Sequence, residues 1–294
     1  MMKVFINGKL VSKEEAKISV WDHGFLYGDG VFEGIRVYNN SIFKLDEHLV
    51  RLYNSARVIE LNIPYSYEEL RNHVINTVRV NLEEEKTENA YIRLVVSRGE
   101  GDLGLDPRKC KTPSVVIIVD KIQLYPKEFY EKGLKLIISS YRRPSADILS
   151  PRIKSLNYLN NILAKIEANN SSAQEAIMLN QNGYVTECTA DNIFIVYKGI
   201  VKTPPPYVGI LEGITRESVI QMCQELNIPC QETILDIKDI LTADEIFITG
   251  TGAEIVPVRQ VNNLTFNIGE ITKKLIQHFP NFVKRHSTPV FVKV

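Results

Sequence analysis

The sequence predicts a mixed α+β (α/β) protein with two domains, and three observations carry that prediction. Short β-branched runs alternate with amphipathic helical stretches along the chain. Paired runs are joined by two-residue turns, Asn7-Gly8, Asn182-Gly183 and Lys198-Gly199, of the kind that closes antiparallel hairpins. A polar stretch at 121–133, containing Pro126, reads as an interdomain linker or a short helix between a small domain at 1–120 and a larger one at 134–294.

Composition narrows the class. The 294 residues are 44% hydrophobic, enough to fill a sizeable core. Lys plus Arg and Asp plus Glu are both 35, and no basic block is interleaved with aromatics, which argues against nucleic acid as a partner. No run approaches the roughly 20 apolar residues of a membrane span, so no membrane partner and a cytoplasmic location are expected. Cys110, Cys188, Cys223 and Cys230 lack metal-ligand spacing and read as reduced thiols, with no metal site.

In chain order, a hairpin is expected first, with strands at 4–6 and 10–11. A helix over 47–61 follows, with Asp46 as N-cap, Leu45 and Val50 as a hydrophobic staple, and Leu49, Leu52, Ala56 and Ile59 inward; Pro64 marks its stop. Ser66-Tyr67-Glu68-Glu69 has the form of a capping box and opens a second helix with Leu70, Val74, Val78 and Leu82 in register. Strands are expected at 91–97 and 114–119, and alternation along the first sets Tyr91, Arg93, Val95 and Ser97 on one face.

The larger part opens with a strand at 134–139 and a helix over 155–169 that buries Leu156, Leu159, Leu163 and Ile166. Hairpins over 176–187 and 193–202 come next. Gly213 then leads into a helix carrying Val219, Ile220, Cys223 and Leu226, and a strand at 245–249 runs into Gly250-Thr251-Gly252. Neither a dinucleotide fingerprint nor a Gly-Lys-Ser/Thr phosphate loop is present in the required context, which excludes nucleotide binding.

Reactive side chains recur at the ends of these elements: Arg51, Lys154, Tyr158, Glu187, Gly213-Ile214-Thr215 and Thr251-Gly252. Singly, each is an ordinary lysine, carboxylate or helix start; their order carries the information. The segments FLYGDGVFEG at 25–34, IKSLNY at 153–158, ECTADNIF at 187–194, VKT at 201–203 and LEGITR at 211–216 together resemble the signature of the class IV (fold-type IV) aminotransferases, over essentially the whole chain. That resemblance implies a small N-terminal α/β domain and a larger C-terminal domain with a β-barrel-like sheet. It further implies pyridoxal 5′-phosphate as cofactor, amino acids and 2-oxo acids as substrates, and a homodimer or a higher homo-oligomer.

By the same resemblance Lys154 is the Schiff-base lysine and the catalytic proton carrier. A helix over 155–169 would set it at the positive end of a dipole, which disfavours its ammonium form. Glu187 matches the carboxylate on the pyridine nitrogen. Tyr158 matches the hydroxyl on the cofactor's 3′ oxygen, four residues after Lys154 and so on its side of that helix. Arg51 matches the phosphate-binding arginine, joined by the amides of Ile214 and Thr215, which Gly213 leaves open to approach, and by Thr251 and Gly252. Substrate contacts fall to Tyr27, Phe32, Gly34, Tyr91, Arg93, Thr251, Gly252 and Ala253.

The stretch AYIRLVVSRG at 90–99, running on to 102–107, resembles the branched-chain enzymes, as do Tyr158 and Phe32-Glu33-Gly34-Ile35-Arg36. It implies transamination between leucine, isoleucine or valine and 2-oxoglutarate. An apolar pocket with one reachable cation suits both a leucine side chain and glutamate, and Arg93 is expected to serve the distal carboxylate of glutamate. The segment 99–107 is a candidate for the loop that completes a neighbouring subunit's site. Lys154 and Tyr158 are one residue closer than in some branched-chain enzymes, a spacing that D-amino acid aminotransferases share. These, the aminodeoxychorismate lyases and a non-catalytic pyridoxal-phosphate-binding protein stand as alternatives.

Overall fold

The computed structural model of the chain describes residues 2–122 and 124–291. They separate into two compact units that are not contiguous in sequence. The first comprises the chain up to Ile122, Ile153–Asn157 and the chain from Val283; the second comprises 124–152 and Tyr158–Phe282. The segment bearing Lys154, which the division at 121–133 assigned to the larger C-terminal part, thus packs in the first unit.

The first unit contains β1 (Lys3–Ile6), β2 (Lys9–Ser12), α1 (His23–Tyr27), β3 (Gly30–Tyr38), β4 (Ser41–Phe43), α2 (Leu45–Val58), α3 (Tyr67–Glu85), β5 (Ala90–Ser97) and β6 (Ser114–Asp120). With the C-terminal strand Ser287–Pro289 at one edge, they form an antiparallel sheet in the order Ser287–Pro289, β4, β3, β5, β6, β1, β2. The β1–β2 hairpin forms as expected: Asn7 and Gly8 take φ 47° and 89°, the paired left-handed conformations of a type I′ turn. The capping box of α3 also forms, with the Ser66 amide donating to Glu69 at 2.7 Å and the Glu69 amide to Ser66 Oγ at 3.3 Å.

Helix α2 departs from expectation at both ends. It starts after Lys44, which turns left-handed (φ 46°) and donates its amide to the His286 carbonyl. Asp46 does not cap it, because its carboxylate is taken by the Tyr67 hydroxyl and Arg71 Nε of α3. Val50 is exposed rather than stapled to the buried Leu45, and the helix ends at Val58, well before Pro64. Its inward face is as expected: Leu49, Leu52 and Ala56 join Leu70, Val74, Val78 and Leu82 of α3 in one core.

Strands β3 and β5 pair in register from Gly30↔Ser97 to Val37↔Ala90, so directly opposite residues share a face. Val31, Glu33 and Ile35, with Ile92, Leu94 and Val96, occupy the face that meets α2. Phe32, Gly34 and Arg36, with Tyr91, Arg93 and Val95, occupy the other, so the expected face of β5 is present.

The second unit contains α4 (Lys127–Lys132), β7 (Leu134–Arg142), α5 (Ala146–Leu149), α6 (Leu159–Asn170), β8 (Glu175–Leu179), β9 (Val185–Cys188), β10 (Asn192–Tyr197), β11 (Ile200–Thr203), α7 (Ile214–Glu225), β12 (Cys230–Glu232), α8 (Ile237–Leu241), β13 (Glu245–Gly250), β14 (Glu254–Val261), β15 (Leu264–Thr265) and most of α9 (Glu270–Arg285). Its strands run in the order β12, β11, β10, β13, β14, β7, β8, β9, with β15 beside β14. The β11–β12, β14–β7 and β7–β8 pairs are parallel. The hairpin turn at Lys198 and Gly199 is again left-handed at both residues, φ 51° and 77°.

Helix α6 is the second correction. It begins at Leu159, not 155, because the chain before it is extended: Ser155 bridges Val31 and the Leu156 amide donates to the Gly30 carbonyl at 2.9 Å. The expected leucine stripe is not the buried one either. Leu159 is 67% exposed and Ile166 is also exposed, whereas Asn161, Ala164 and Ala168 face inward. The alanines pack with Ile137, Ala176 and Met178, their small side chains letting the helix lie close on β7 and β8. Among the described residues no helix is long and apolar enough to cross a membrane.

Candidate active site

In the first unit, residues 153–157 lie along β3. The Phe32 amide donates to the Lys154 carbonyl at 3.0 Å, and the Lys154 amide donates to Ser55 Oγ of α2 at 3.2 Å. The main chain of Lys154 is thereby held by a strand and a helix, and its Nζ stands 4.7 Å from the centroid of the Phe32 ring. Because this segment is not helical, the dipole argument for Lys154 and its i,i+4 relation to Tyr158 both fall; Tyr158 is the N-cap of α6, in the second unit.

The sheet face beside Lys154 gathers Phe32, Gly34, Tyr91 and Arg93 of the expected substrate residues. The Arg93 guanidinium lies 4.5 Å from the Phe32 ring centroid and 5.6 Å from that of Tyr91. A Cβ at Gly34 would come within 2.0 Å of the Tyr91 hydroxyl, so position 34 must be glycine for Tyr91 to lie where it does. Tyr27, at the end of α1, accepts a hydrogen bond from the Gly104 amide at 3.0 Å, and the His23 Nε2 to Asp102 carbonyl distance is also 3.0 Å. These two contacts tie the 99–107 loop to α1.

Arg51 reaches back from α2 to β3. Its Nε donates to Glu33 Oε1 at 2.7 Å and its Nη2 to Glu33 Oε2 at 2.8 Å, a bidentate fork on a carboxylate that is fully buried. His48 Nδ1 meets Glu33 Oε2 at 2.7 Å. Burial alone would raise the Glu33 pKa, but the Arg51 charge and then His48 outweigh it and hold the carboxyl well below the usual range. Burial pushes His48 down, against the pull of Glu33. Neither Glu33 nor His48 was expected from sequence, although Glu33 lies inside the recognised segment at 25–34.

In the second unit, Glu187 stands at the end of β9, where a tight turn, with the Cys188 amide donating to the Asp191 carbonyl at 2.7 Å, brings Asn192 back beside it. The Glu187 carboxylate is buried and held by Arg143 Nη2, by Asn192 Nδ2 at 3.0 Å and by the Leu211 amide at 3.1 Å. Asn192 Nδ2 also donates to the Leu211 carbonyl at 2.9 Å, and a Cβ at Gly213 would fall 2.0 Å from Asn192 Oδ1. The strand end, the 211–213 turn and the start of α7 are thus locked together. Ile214 and Thr215 open α7, and Gly213 makes no side-chain cap bond to their amides. Thr251 and Gly252 lie in the turn after β13, and Ala253 beyond them is fully buried in this unit's core. Sequence reasoning missed Arg143 and Asn192; the Asn five residues after Glu187, across an expected strand turn, was the available signal for the second.

A second carboxyl lies behind Glu187. Asp191 is buried with Oδ2 lacking a hydrogen-bond partner, and its Oδ1 sits where a Cβ of Gly250 would be. Burial, then the charges of Glu175 and Glu187, push its pKa up to about 7, against the opposing effects of Lys165 and Tyr125. Glu175 itself is well served, accepting from the Ala176 amide, the Thr189 amide and the Thr189 hydroxyl, with Lys165 at 3.7 Å.

Pyridoxal phosphate asks for an amine, an anion for its ring nitrogen and donors for its phosphate. The donor sets fit. Lys154 and Arg51 supply an amine and a guanidinium in the first unit; Glu187 supplies a fixed carboxylate and the start of α7 supplies amides in the second. Thr249, paired with Asn192 across β13 and β10, keeps a buried hydroxyl without a hydrogen-bond partner, as a group built to meet a ligand would.

Comparison with known proteins agrees with this chemistry. The profile of the amino-transferase class IV family matches residues 30–261. A putative branched-chain-amino-acid aminotransferase of Methanocaldococcus jannaschii is 49% identical over 293 residues, 99% of each chain. A D-alanine aminotransferase of Bacillus licheniformis is 36% identical over 273 residues, 91% of each. The solved structure of the T.th. branched-chain amino acid aminotransferase complexed with N-(5′-phosphopyridoxyl)-L-glutamate superposes with a TM-score of 0.90 at 32% identity, covering 99% of both chains. The residues that hold Lys154 and Glu187 therefore sit in a fold-type IV framework, and the protein belongs to the class IV aminotransferases, which work with pyridoxal phosphate.

Proposed function

We infer that the chain moves an α-amino group between branched-chain L-amino acids and 2-oxoglutarate. The observation that carries this reading is the sheet face of Phe32, Tyr91, Val95 and Arg93 next to Lys154, an aromatic and aliphatic wall that holds the Arg93 guanidinium over its rings. Such a wall accepts a leucine side chain, and the Arg93 cation answers the second carboxylate of glutamate. The branched-chain relatives, one of them carrying a glutamate adduct of the cofactor, support both halves.

When bound, pyridoxal phosphate supplies the electron sink that makes the substrate Cα–H acidic. In this reading Lys154 would hold the cofactor covalently and, once the substrate amine has displaced it, its freed amine would carry the proton to and from substrate Cα as general base and acid. Glu187, fixed by Arg143, Asn192 and the Leu211 amide, holds a proton on the ring nitrogen. Tyr158 orients the ring through its 3′ oxygen. Arg51, the amides of Ile214 and Thr215, and Thr251 with Gly252 bind the phosphate, while Gly213 keeps the approach open. Tyr27, Phe32, Gly34, Tyr91, Arg93, Thr251, Gly252 and Ala253 line the substrate.

Self-association belongs to the same reading. Val20, Trp21, Phe25, Leu103 and Leu105 are exposed apolar side chains around the tied 99–107 loop, Leu105 at 81%. A cavity of about 430 Å³ on the same unit is bounded by Val4, Ile6, Val95, Val116 and Ile118. Apolar surface of this extent supports a homodimer in which the loop reaches a neighbouring subunit's site. Light scattering should return at least twice the 33.5 kDa chain mass.

The functional test mixes the yellow holoenzyme separately with L-leucine, L-glutamate and D-alanine and follows discharge of the cofactor's absorbance band. Discharge by the two L-amino acids and not by D-alanine is expected. Discharge by D-alanine alone would transfer the assignment to the D-amino acid enzymes, the reading that the 36% identical D-alanine aminotransferase favours. Pyruvate release from aminodeoxychorismate without an amino acceptor would make it a lyase, and no discharge at all a binding protein.

A further inference from the structure

We propose that Glu33 and His48 are positioning residues that hold Arg51 for the cofactor phosphate; this rests on the reading of Arg51 as a phosphate ligand. An arginine on a helix has several rotatable bonds, and a free guanidinium samples many directions before it binds. Arg51 is not in that condition. Glu33 rises from β3 on the face that meets α2 and accepts from Nε at 2.7 Å and from Nη2 at 2.8 Å, which fixes both the plane and the direction of the guanidinium. Two of the five N–H donors of the fork are thereby assigned to the carboxylate.

His48 lies three residues before Arg51 on α2, so the two share a helix face. Its Nδ1 bonds Glu33 Oε2 at 2.7 Å and so braces the carboxylate from the other side. Glu33 and His48 are both wholly enclosed, and His48 Nε2 is buried without a hydrogen-bond partner. A charged carboxylate in such a place, in a core otherwise made of Val31, Ile35, Leu49 and Leu52, serves no packing purpose that a leucine would not serve better. Its retention is explained if what it orients is the anion-binding arginine, and its neighbour Phe32 at the same time carries Lys154 over its ring.

The proposal has a signature that separates it from simple charge balance. A carboxylate next to a phosphate site repels the phosphate, so if Glu33 were only a counter-charge, Glu33→Gln would tighten phosphate binding. If it positions Arg51, the same substitution loosens it. Dissociation constants of pyridoxal phosphate and of pyridoxal, which lacks the phosphate, are measured on the full chain for the wild type, Arg51→Ala, Glu33→Gln and the double variant, and the preference for the phosphorylated form is taken as the ratio. General structural damage lowers both affinities and leaves the ratio alone.

Arg51→Ala is expected to reduce the ratio on the order of ten- to a hundredfold, the scale of a lost hydrogen bond to a charged group. Glu33→Gln is expected to reduce it by a large part of that, with the double variant no worse than Arg51→Ala alone. His48→Leu, which unbraces Glu33 without touching its charge, should lower the ratio in the same direction and provides the reading if Glu33→Gln does not fold. An unchanged or increased ratio in Glu33→Gln, or in His48→Leu where that variant is the one that folds, alongside a reduced one in Arg51→Ala overturns the positioning proposal only. An unchanged ratio in Arg51→Ala removes Arg51 from the phosphate and the proposal with it.

Discussion

Each unit of the molecule holds a buried arginine–glutamate pair, and the two are built in opposite senses. In the first, Glu33 is gripped by Arg51 and His48 within the helix-facing side of a sheet, so the carboxylate serves the arginine. In the second, Arg143, Asn192 and the Leu211 amide converge on Glu187, so the arginine serves the carboxylate. A buried ion pair is weak evidence for stability, since desolvation offsets most of the attraction. In the proposed roles, its meaning depends on which partner is presented to the ligand: a guanidinium offers a phosphate donor, a carboxylate offers a proton acceptor to a ring nitrogen.

The comparison breaks or holds on a graded series of variants. The largest effect is expected from Lys154→Ala, which removes the amine proposed to hold the cofactor. Turnover should fall by at least about a thousandfold, and borohydride should no longer trap the cofactor on the chain, as mass spectrometry would register. Near-normal turnover with a trapped adduct would show that another lysine does the work.

Glu187→Gln should slow the L-leucine half-reaction by on the order of 10²–10³-fold, the scale of one preorganised electrostatic contact, while cofactor affinity changes little. This is the inverse of what is expected at Glu33, where affinity for the phosphorylated cofactor is the quantity that moves. Stopped-flow rates equal to wild type in Glu187→Gln would dissolve the contrast.

Next comes Arg93→Ala. With its guanidinium over the Phe32 and Tyr91 rings, it should lower kcat/KM for L-glutamate by about ten- to a hundredfold and leave L-leucine nearly untouched, since only glutamate brings a second charge. Equal losses for both substrates would move Arg93 to the α-carboxylate or to a structural role.

The smallest expected effect sharpens the second pair through its neighbour. Asp191 has its pKa raised to about 7 in the folded protein, by burial first and then by Glu175 and Glu187, against roughly 3.9 in an unfolded chain. The unfolded state therefore releases the Asp191 proton more readily, and this residue's contribution to stability is fully present below about pH 4 and declines as pH rises to about 7. Asp191→Asn should match wild type near pH 4 and gain stability through that window, reaching on the order of 1–3 kcal/mol above it. Burial raises the pKa of both the Tyr125 hydroxyl and the Cys188 thiol in this pocket, so neither ionises across that window. A melting-temperature difference that does not change between pH 4 and 8 would mean that Asp191 is ionised throughout.

The features legible in the sequence are those governed by neighbours a few residues apart. Asn7-Gly8 and Lys198-Gly199 dictate left-handed turns because few residue pairs accept two positive φ angles, and Ser66 with Glu69 closes a cap through two bonds spanning three residues. Alternation along β5 placed Tyr91 and Arg93 together for the same local reason. The order of the motifs singled out Lys154 and Glu187, and the fold buries the Glu187 carboxylate among donors and sets Lys154 Nζ over the Phe32 ring.

What the sequence could not decide is everything that depends on what a residue meets from far away. Asp46 reads as a cap, but Tyr67 and Arg71, on another helix, claim its carboxylate. The stretch after Lys154 has helical periodicity, yet its Leu156 amide finds the Gly30 carbonyl of β3, Ser155 bridges Val31, and it stays extended. The leucines of α6 outweigh its alanines in hydrophobicity, but close packing on the sheet buries the alanines.

By itself, then, the sequence determined the left-handed hairpin turns, the Ser66–Glu69 capping box and the face of β5. Tertiary structure alone decided what side chains meet: Arg51 finds Glu33 from 18 residues away and Arg143 finds Glu187 from 44, and the Asp191 pKa is raised because the fold buries it beside other carboxylates. The physical reason is one of range. Backbone torsions and capping bonds are set within a turn of chain, whereas the desolvation and Coulomb effects that tune a site come from groups that only folding brings near.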